Sequence, residues 1–283
     1  MFKKIIRISI GVFLVTGIVA LFSFAQNREN EMLCSKINIL ISRDPLNENF
    51  LVEEDDIRQL IATQIGQVEN SPIKNIDINS LERILYRNPW VLNANVYLDI
   101  DGVVNVEIEQ RKPILRIINY LGENFYMDSN GKSMPWSPKF TPRLLVVTGN
   151  IKEQFRESDQ ASANELMNND TLKTHQALAD FYTLATFILA DNFWSAQIEQ
   201  IYINVNGEIE LVPKVGDQKI LLGDTKDLAE KFFKLKIFYK EGLNYTGWKT
   251  YDTINLEYKN QVVCTKANFI PQQLKTSTNS TTH

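Results

Sequence analysis

The stretch INSLERILYRNPWVLNANVYLDIDGVVNVEIEQRKPILRI, residues 78–117, is the most informative part of the chain, because it predicts a helix, a hairpin and an exit into a second domain, in that order. The apolar residues at helical spacing are Leu81, Ile84 and Leu85. Asn79, with Glu82 three residues later, is typical of a capping-box start. Pro89 cannot continue the helical hydrogen bonding. The pattern therefore predicts a short helix that ends just before Trp90.

Two alternating segments follow that helix and predict an antiparallel hairpin. Their apolar positions are Ala94, Val96, Leu98 and Ile100, then Val104, Val106 and Ile108. Asp101-Gly102 between them is a strong signal for a tight turn. Glu107 and Glu109 fall at the alternate positions, which face solvent in such a hairpin. We therefore interpret both carboxylates as surface residues rather than as a catalytic pair.

Upstream, residues 35–42 alternate as a strand. In residues 47–66 the apolar side chains at helical spacing are Ile57, Leu60, Ile61 and Ile65, and the four residues 53–56 are acids in the first turn. Acids in the first turn complement the positive end of the helix dipole. Together with residues 78–110, these segments give the order β-α-α-β-β. The sequence therefore predicts a small α+β module over residues 35–111.

The N-terminus, MFKKIIRISIGVFLVTGIVALFSFAQ, predicts a membrane anchor. Residues 8–25 carry no charge and would form about 27 Å of helix, enough for a bilayer core. Three basic residues, Lys3, Lys4 and Arg7, precede this segment, whereas one, Arg28, follows it. The positive-inside rule therefore leaves the N-terminal tail in the cytoplasm and exports the rest. A cleaved signal peptide is the alternative, because Ser23-Phe24-Ala25 resembles a cleavage site.

Residues 112–269 predict a larger domain with a mixed sheet. Several short β-like segments alternate with turn signals, and two segments, 172–191 and 225–241, have helical spacing. Residues 152–169 form a polar insertion. Residues 270–283 are rich in Ser, Thr and Asn, and we expect them to be disordered. The expected fold is thus α+β, with an N-terminal transmembrane helix, the small module and a mixed-sheet β domain.

The residue inventory argues against an enzyme. His175 and His283 are the only histidines, and Cys34 and Cys264 the only cysteines, so neither a triad nor a zinc motif can be assembled. The net charge of −4 gives no basic face for nucleic acid. We expect no cofactor, no metal and no small-molecule substrate. The two cysteines leave one disulfide open as an alternative.

The opening stretch resembles the polypeptide-transport-associated (POTRA) module of the bacterial cell-division family FtsQ/DivIB. The matching features are LE..L..NPWV..A.V, the glycine hairpin and the V.I.QR.P exit. GENFYMDSNGKSMP, residues 122–135, resembles the start of that family's β domain. The resemblance covers residues 5–266. The long insertion and the short cytoplasmic tail depart from the family pattern.

The resemblance implies a non-enzymatic divisome scaffold that acts in cell division and septum formation. It would be a single-pass protein of the cytoplasmic (inner) membrane, with its bulk in the periplasm and its position at the division site. It would link early and late division proteins and bind small FtsB/FtsL-type proteins by strand addition at its last strand. The residues implied are Tyr258, Gln261, Val262, Val263, Cys264, Thr265 and Lys266.

In this interpretation residues 251–258 form the closing inner strand, and residues 261–266 form the open edge. Two alternatives stay open at this point. One is another POTRA-containing assembly or transport factor of the cell envelope. The other is an exported cell-wall hydrolase, for which no catalytic constellation is present in the sequence.

Overall fold

A computed structural model describes residues 13–19, 32–42, 51–155 and 176–267 of the 283-residue chain. The chain divides into two compact units. The first comprises Met1–Lys112 with Ser137–Pro142, and the second comprises Pro113–Trp136 with Arg143–His283. Each unit has its own hydrophobic core.

The first unit has the expected β-α-α-β-β order. Its elements are β1 (Lys36–Ser42), α1 (Glu54–Gln64), a short 3₁₀ turn (Ile73–Asn75), α2 (Ile78–Tyr86), β2 (Val91–Leu98) and β3 (Val103–Gln110). The sheet order is β1-β3-β2, with β1 parallel and β2 antiparallel to β3. Both helices bury their apolar side chains against one face of this sheet.

The start of α2 differs from the sequence prediction. Asp77 is its N-cap, with extended backbone and a side chain that accepts the Ser80 N–H. Since the helix has already begun at Ile78, Asn79 lies in its first turn and cannot cap it. Glu82 accepts the N–H of Val96 on β2 instead of closing a capping box. Aspartate at an N-cap accepts a hydrogen bond from a helical N–H that would otherwise be unpaired, which explains why the helix begins after Asp77.

The second unit is a nine-stranded mixed sheet with helices on one face. Its strands are β4 (Pro113–Ile118), β5 (Asn124–Asp128), β6 (Ser133–Pro135), β7 (Leu145–Gly149), β8 (Ile198–Ile203), β9 (Ile209–Pro213), β10 (Lys219–Gly223), β11 (Tyr251–Asn255) and β12 (Val263–Lys266). Their spatial order is β12-β11-β10-β9-β8-β7-β4-β5-β6. β12 and β6 are therefore the two edges of this sheet.

The helical layer of this unit is richer than the two helices expected from the sequence. It contains α3 (Gln176–Ala190), α4 (Asn192–Gln197), α5 (Leu228–Ile237), a π-helical turn (Phe238–Gly242) and α6 (Leu243–Thr246). Asp191 ends α3 and caps α4 by accepting the N–H groups of Phe193 and Trp194. The expected single helix over 172–191 therefore continues, after a break, into a second helix. The expected start at Thr225 is also wrong, because α5 begins at Leu228 with Asp227 as its cap.

The membrane anchor expected over residues 8–25 overlaps the described residues only at 13–19, which are helical and exposed. No helix within the described ranges is both long and apolar enough to cross a bilayer. The expected disordered tail, 270–283, lies outside the described residues, as does most of the 152–169 insertion. Cys34 and Cys264 are both free thiols, and they lie in different units.

Candidate partner-binding edge

The hairpin formed by β11 and β12 closes the nine-stranded sheet at one side. β11 pairs in parallel with β10 and antiparallel with β12. The β11–β12 register pairs Asn255 with Val263, Ile254 with Cys264, and Thr253 with Thr265, and a bulge follows on β11. β12 has no strand on its other side among the residues that the structure describes. It is therefore the outermost strand of the sheet at this side.

The loop before β12 is held by the helix α5. The Lys234 ammonium donates to the Leu256 and Tyr258 carbonyls, at 3.3 and 2.7 Å. The Asn260 N–H donates to the Glu230 carboxylate at 3.3 Å, and this bond lowers the pKa of Glu230. Asn260 adopts a left-handed φ of 59°, a conformation that Asn tolerates better than most residues. The hairpin is thus anchored before β12 begins.

Backbone hydrogen bonding identifies which groups of β12 face outward. The Ala267 N–H donates to the Thr250 carbonyl at 3.0 Å, so the backbone of Ala267 faces β11. Backbone groups alternate in direction along a strand. The N–H and C=O groups of Val263 and Thr265 therefore face β11, whereas those of Cys264 and Lys266 face the open side.

Side-chain burial separates the two faces of β12. Val262 and Cys264 are half-buried and pack against the core on the helix side. Val263 is 42% exposed, and Thr265 is exposed on the other face. Burial raises the pKa of the Cys264 thiol, which keeps it protonated at neutral pH. The strand offers an apolar side and a solvent side to anything that pairs with it.

Each of the other three sheet edges carries a feature that hinders pairing at one position or shortens the edge. On β1, Ile37 donates to the Glu69 carboxylate and accepts from the Arg58 guanidinium, at 3.1 Å each. On β2, the Val96 N–H donates to Glu82 at 3.0 Å. β6 has three residues and ends in Pro135, which has no N–H to offer. Side-chain caps, short strands and proline are established means of protecting an edge.

β12 has no comparable protection among the described residues. No side chain there donates to or accepts from the outward backbone groups of its four residues, and β12 contains no proline. Its only charged residue is Lys266, at the end of the strand. As far as the described part of the chain goes, β12 is accordingly the least protected of the four edges.

The seven residues predicted as a partner-binding site lie in β12 and in the loop before it. Val263, Cys264, Thr265 and Lys266 form β12, and Gln261 and Val262 lead into it without belonging to it. Tyr258 is 50% exposed and lies in the loop, because β11 ends at Asn255 and not at Tyr258. The sequence signal missed Lys234 and Glu230, whose contacts with this loop depend on the packing of α5.

Metal binding has no support in the described ranges, since they contain no cluster of three or more His, Cys, Asp or Glu side chains that could hold an ion. In the acidic first turn of α1, Asp56 forms hydrogen bonds within the protein. Asp56 accepts from the Lys139 ammonium at 2.6 Å and from the Glu53 N–H at 3.0 Å. We therefore interpret these acids as a helix start.

Comparisons with known proteins agree with this architecture. The family model described as FtsQ/DivIB, C-terminal related, matches residues 112–265, more than half of the chain. A POTRA-like domain model matches residues 32–109. The cell division protein FtsQ of Geotalea daltonii (strain DSM 22248 / JCM 15807 / FRC-32) is 23% identical over 211 residues, covering 74% of this chain and 70% of that protein. Two adjacent matches in the same order as the two units leave one assignment: the chain belongs to the FtsQ/DivIB family.

Proposed function

We propose that this chain is a non-enzymatic scaffold of the bacterial division machinery. Membership of the FtsQ/DivIB family and similarity to a cell division protein support a role in cell division. The apolar residues 8–25, with basic residues before them, support a single-pass anchor in the inner membrane. In this proposal the two units lie in the periplasm at the division site, and the chain links early and late division proteins.

The proposed binding mode is strand addition to β12 by a small single-pass protein of the FtsB/FtsL type. The single observation that carries this proposal is the contrast between β12 and the three other edges, which are capped, short or proline-terminated. In strand addition the main chain supplies affinity and alternate side chains supply selectivity. The outward backbone groups of Cys264 and Lys266 would make these bonds.

The test pairs two variants of the full chain that differ in one backbone N–H. Lys266→Pro removes an outward N–H, whereas Lys266→Ala removes only the exposed side chain. One lost hydrogen bond is worth about 1 kcal/mol, or roughly fivefold in affinity, and the proline ring adds a steric block. Lys266→Pro should therefore weaken capture at least fivefold, and Lys266→Ala should leave it within about twofold.

Crosslinking identifies the captured protein. A photoreactive residue in place of Val263, which is exposed, should attach to a small single-pass protein in dividing cells. A label that attaches to nothing would count against strand addition at β12. The strand-addition proposal fails if Lys266→Pro, shown to be folded by circular dichroism, captures its partner as well as Lys266→Ala does.

A further inference from the structure

One row of cross-strand neighbours crosses almost the whole sheet and stops at β12. From β5 to β12, one residue per strand, the members of this row are Phe125, Ile117, Val147, Ile201, Leu211, Ile220, Ile254 and Cys264. The first seven are apolar and fully buried, at 0% exposure. Cys264 is only half-buried. The core is therefore continuous up to β11 and partly open at β12.

The opposite face of the same strand behaves differently. The neighbouring row runs from Val263 through Asn255, Leu221 and Glu210 to Tyr202. These side chains are half-buried or exposed, and two of them are polar or charged. A strand added beside β12 would thus extend an apolar row on its helix side and a mixed, hydrated row on its other side.

We propose that the edge selects its partner strand by side chain: it takes a strand with a bulky apolar residue in register with Cys264. This inference rests on the proposed strand addition and deepens it. Paired residues on neighbouring strands point to the same face, whichever way the added strand runs. The residue opposite Cys264 must then lose its water on the helix side, which is costly for a polar or charged side chain.

The size of Cys264 favours a large partner residue. Cys264 is the smallest side chain in its row, in which the other members are Phe, Ile, Val and Leu. A small residue at the end of a packed row leaves room for a larger neighbour, and such large–small alternation fills a core without voids. Val262, also packed on the helix side, extends the same apolar strip. The partner strand should therefore alternate apolar and polar residues.

Two short peptides of identical composition test the selectivity on the full chain in detergent micelles. One alternates apolar and threonine residues, and the other carries its apolar residues side by side, so that no register puts them all on one face. Fluorescence anisotropy of the labelled peptides should show the alternating peptide binding at least tenfold more tightly, because only it buries its apolar side chains along the Cys264 row.

A matched pair of variants localises the effect to one face. Cys264→Asp and Val263→Asp introduce the same charge at adjacent residues of one strand. Cys264→Asp should lower the affinity for the alternating peptide at least tenfold, and Val263→Asp should change that affinity less than threefold. Cys264→Ser, which keeps the size of the side chain, should give an intermediate loss even if Cys264→Asp disturbs the edge.

The outcomes separate the two proposals. Equal binding of both peptides, or equal losses for the two aspartate variants, would overturn the selectivity and leave strand addition standing. If neither peptide binds and the crosslink at position 263 is also absent, strand addition itself fails. Tight binding of the alternating peptide that depends on Cys264 and not on Val263 would support the inference.

Discussion

At the scale of single residues, Gly149 shows how closely β7 and β8 approach. Its φ is +108°, and a Cβ built there would lie 2.1 Å from the Ile203 carbonyl oxygen. Only glycine fits a position with both a left-handed backbone and no room for a side chain. This residue sets the pairing at the end of two parallel strands in the middle of the sheet.

We predict that Gly149→Ala lowers the free energy of unfolding by more than about 3 kcal/mol, because backbone strain adds to a clash with the main chain of β8. The control is Gly207→Ala. Gly207 also has a positive φ, +83°, but its Cβ would meet open space, so only about 1 kcal/mol of backbone strain is expected. Urea unfolding of both variants measures this difference, and equal losses would contradict it.

Lys231 is a second single-residue determinant, since it is only 8% exposed and carries a charge. Its ammonium donates to the Asp224 carboxylate at 2.7 Å and to the Asp224 carbonyl at 2.9 Å. The bond from Lys231 lowers the pKa of Asp224. The carboxylate therefore stabilises the fold fully above its unfolded-state pKa of about 4, and this contribution is lost as the pH falls through the lower folded-state pKa.

We predict that Asp224→Asn destabilises the chain by roughly 1 kcal/mol at pH 7, because the poorly solvated Lys231 ammonium loses its counter-charge. The loss stays below that of a fully buried pair because the Asp224 side chain is 56% exposed and water screens it. The stabilities of the wild type and the variant should begin to converge below about pH 4, the unfolded-state pKa, and should meet only below the lower folded-state pKa of Asp224. Lys226→Ala is the control, since Lys226 is 85% exposed and lies 3.8 Å from the same carboxylate. Thermal unfolding across pH would refute the prediction if the difference between wild type and Asp224→Asn did not change with pH.

At the scale of elements, β12 differs from the other edges in its hydrogen bonding. Its backbone alternates between groups that pair with β11 and groups that face outward. Hydrogen exchange reports that difference directly, because an N–H within a ladder exchanges more slowly than one open to water.

We predict that the amides of Val263 and Thr265 exchange slowly and those of Cys264 and Lys266 exchange rapidly in the free chain. A bound partner strand should slow the second pair and leave the first nearly unchanged. Hydrogen exchange followed by NMR measures the exchange rate of each of these amides separately. Uniform rates along β12 would show that the alternation, and with it the choice of Lys266→Pro as a test, is wrong.

At the scale of the whole molecule, the chain consists of two units with separate cores. Leu85 is fully buried in the first core and Ile201 in the second. Truncating a buried Leu or Ile to Ala costs about 2–5 kcal/mol, and the loss is felt mainly by the residues that pack around the cavity.

We therefore predict that Leu85→Ala reduces hydrogen-exchange protection mainly in residues 32–42 and 51–112, and that Ile201→Ala does so mainly in residues 113–136, 143–155 and 176–267. The two variants serve as controls for each other because each removes a similar apolar volume from a different core. Loss of protection across both units from either substitution would show that the cores unfold together.

Local sequence patterns predict the order of the elements in the first unit. Period-two and period-3.6 patterns, the Asp101-Gly102 turn and Pro89 are local signals, and they predicted the β-α-α-β-β order now seen. Strands of the second unit were also predicted where alternation was strong. The cap of α2 was misassigned, because Asp77–Ser80 and Asn79–Glu82 have the same spacing and only packing chooses between them.

Which strands are neighbours, and therefore which strands lie at an edge, follows from long-range packing rather than from local sequence patterns. A strand's sequence shows that it can pair but not with what, because pairing joins residues far apart in the chain. The caps on Ile37 and Val96 come from Glu69 and Glu82, 32 and 14 residues away. The last strand was identifiable from the sequence as a strand, but its status as the least protected edge follows from these long-range contacts.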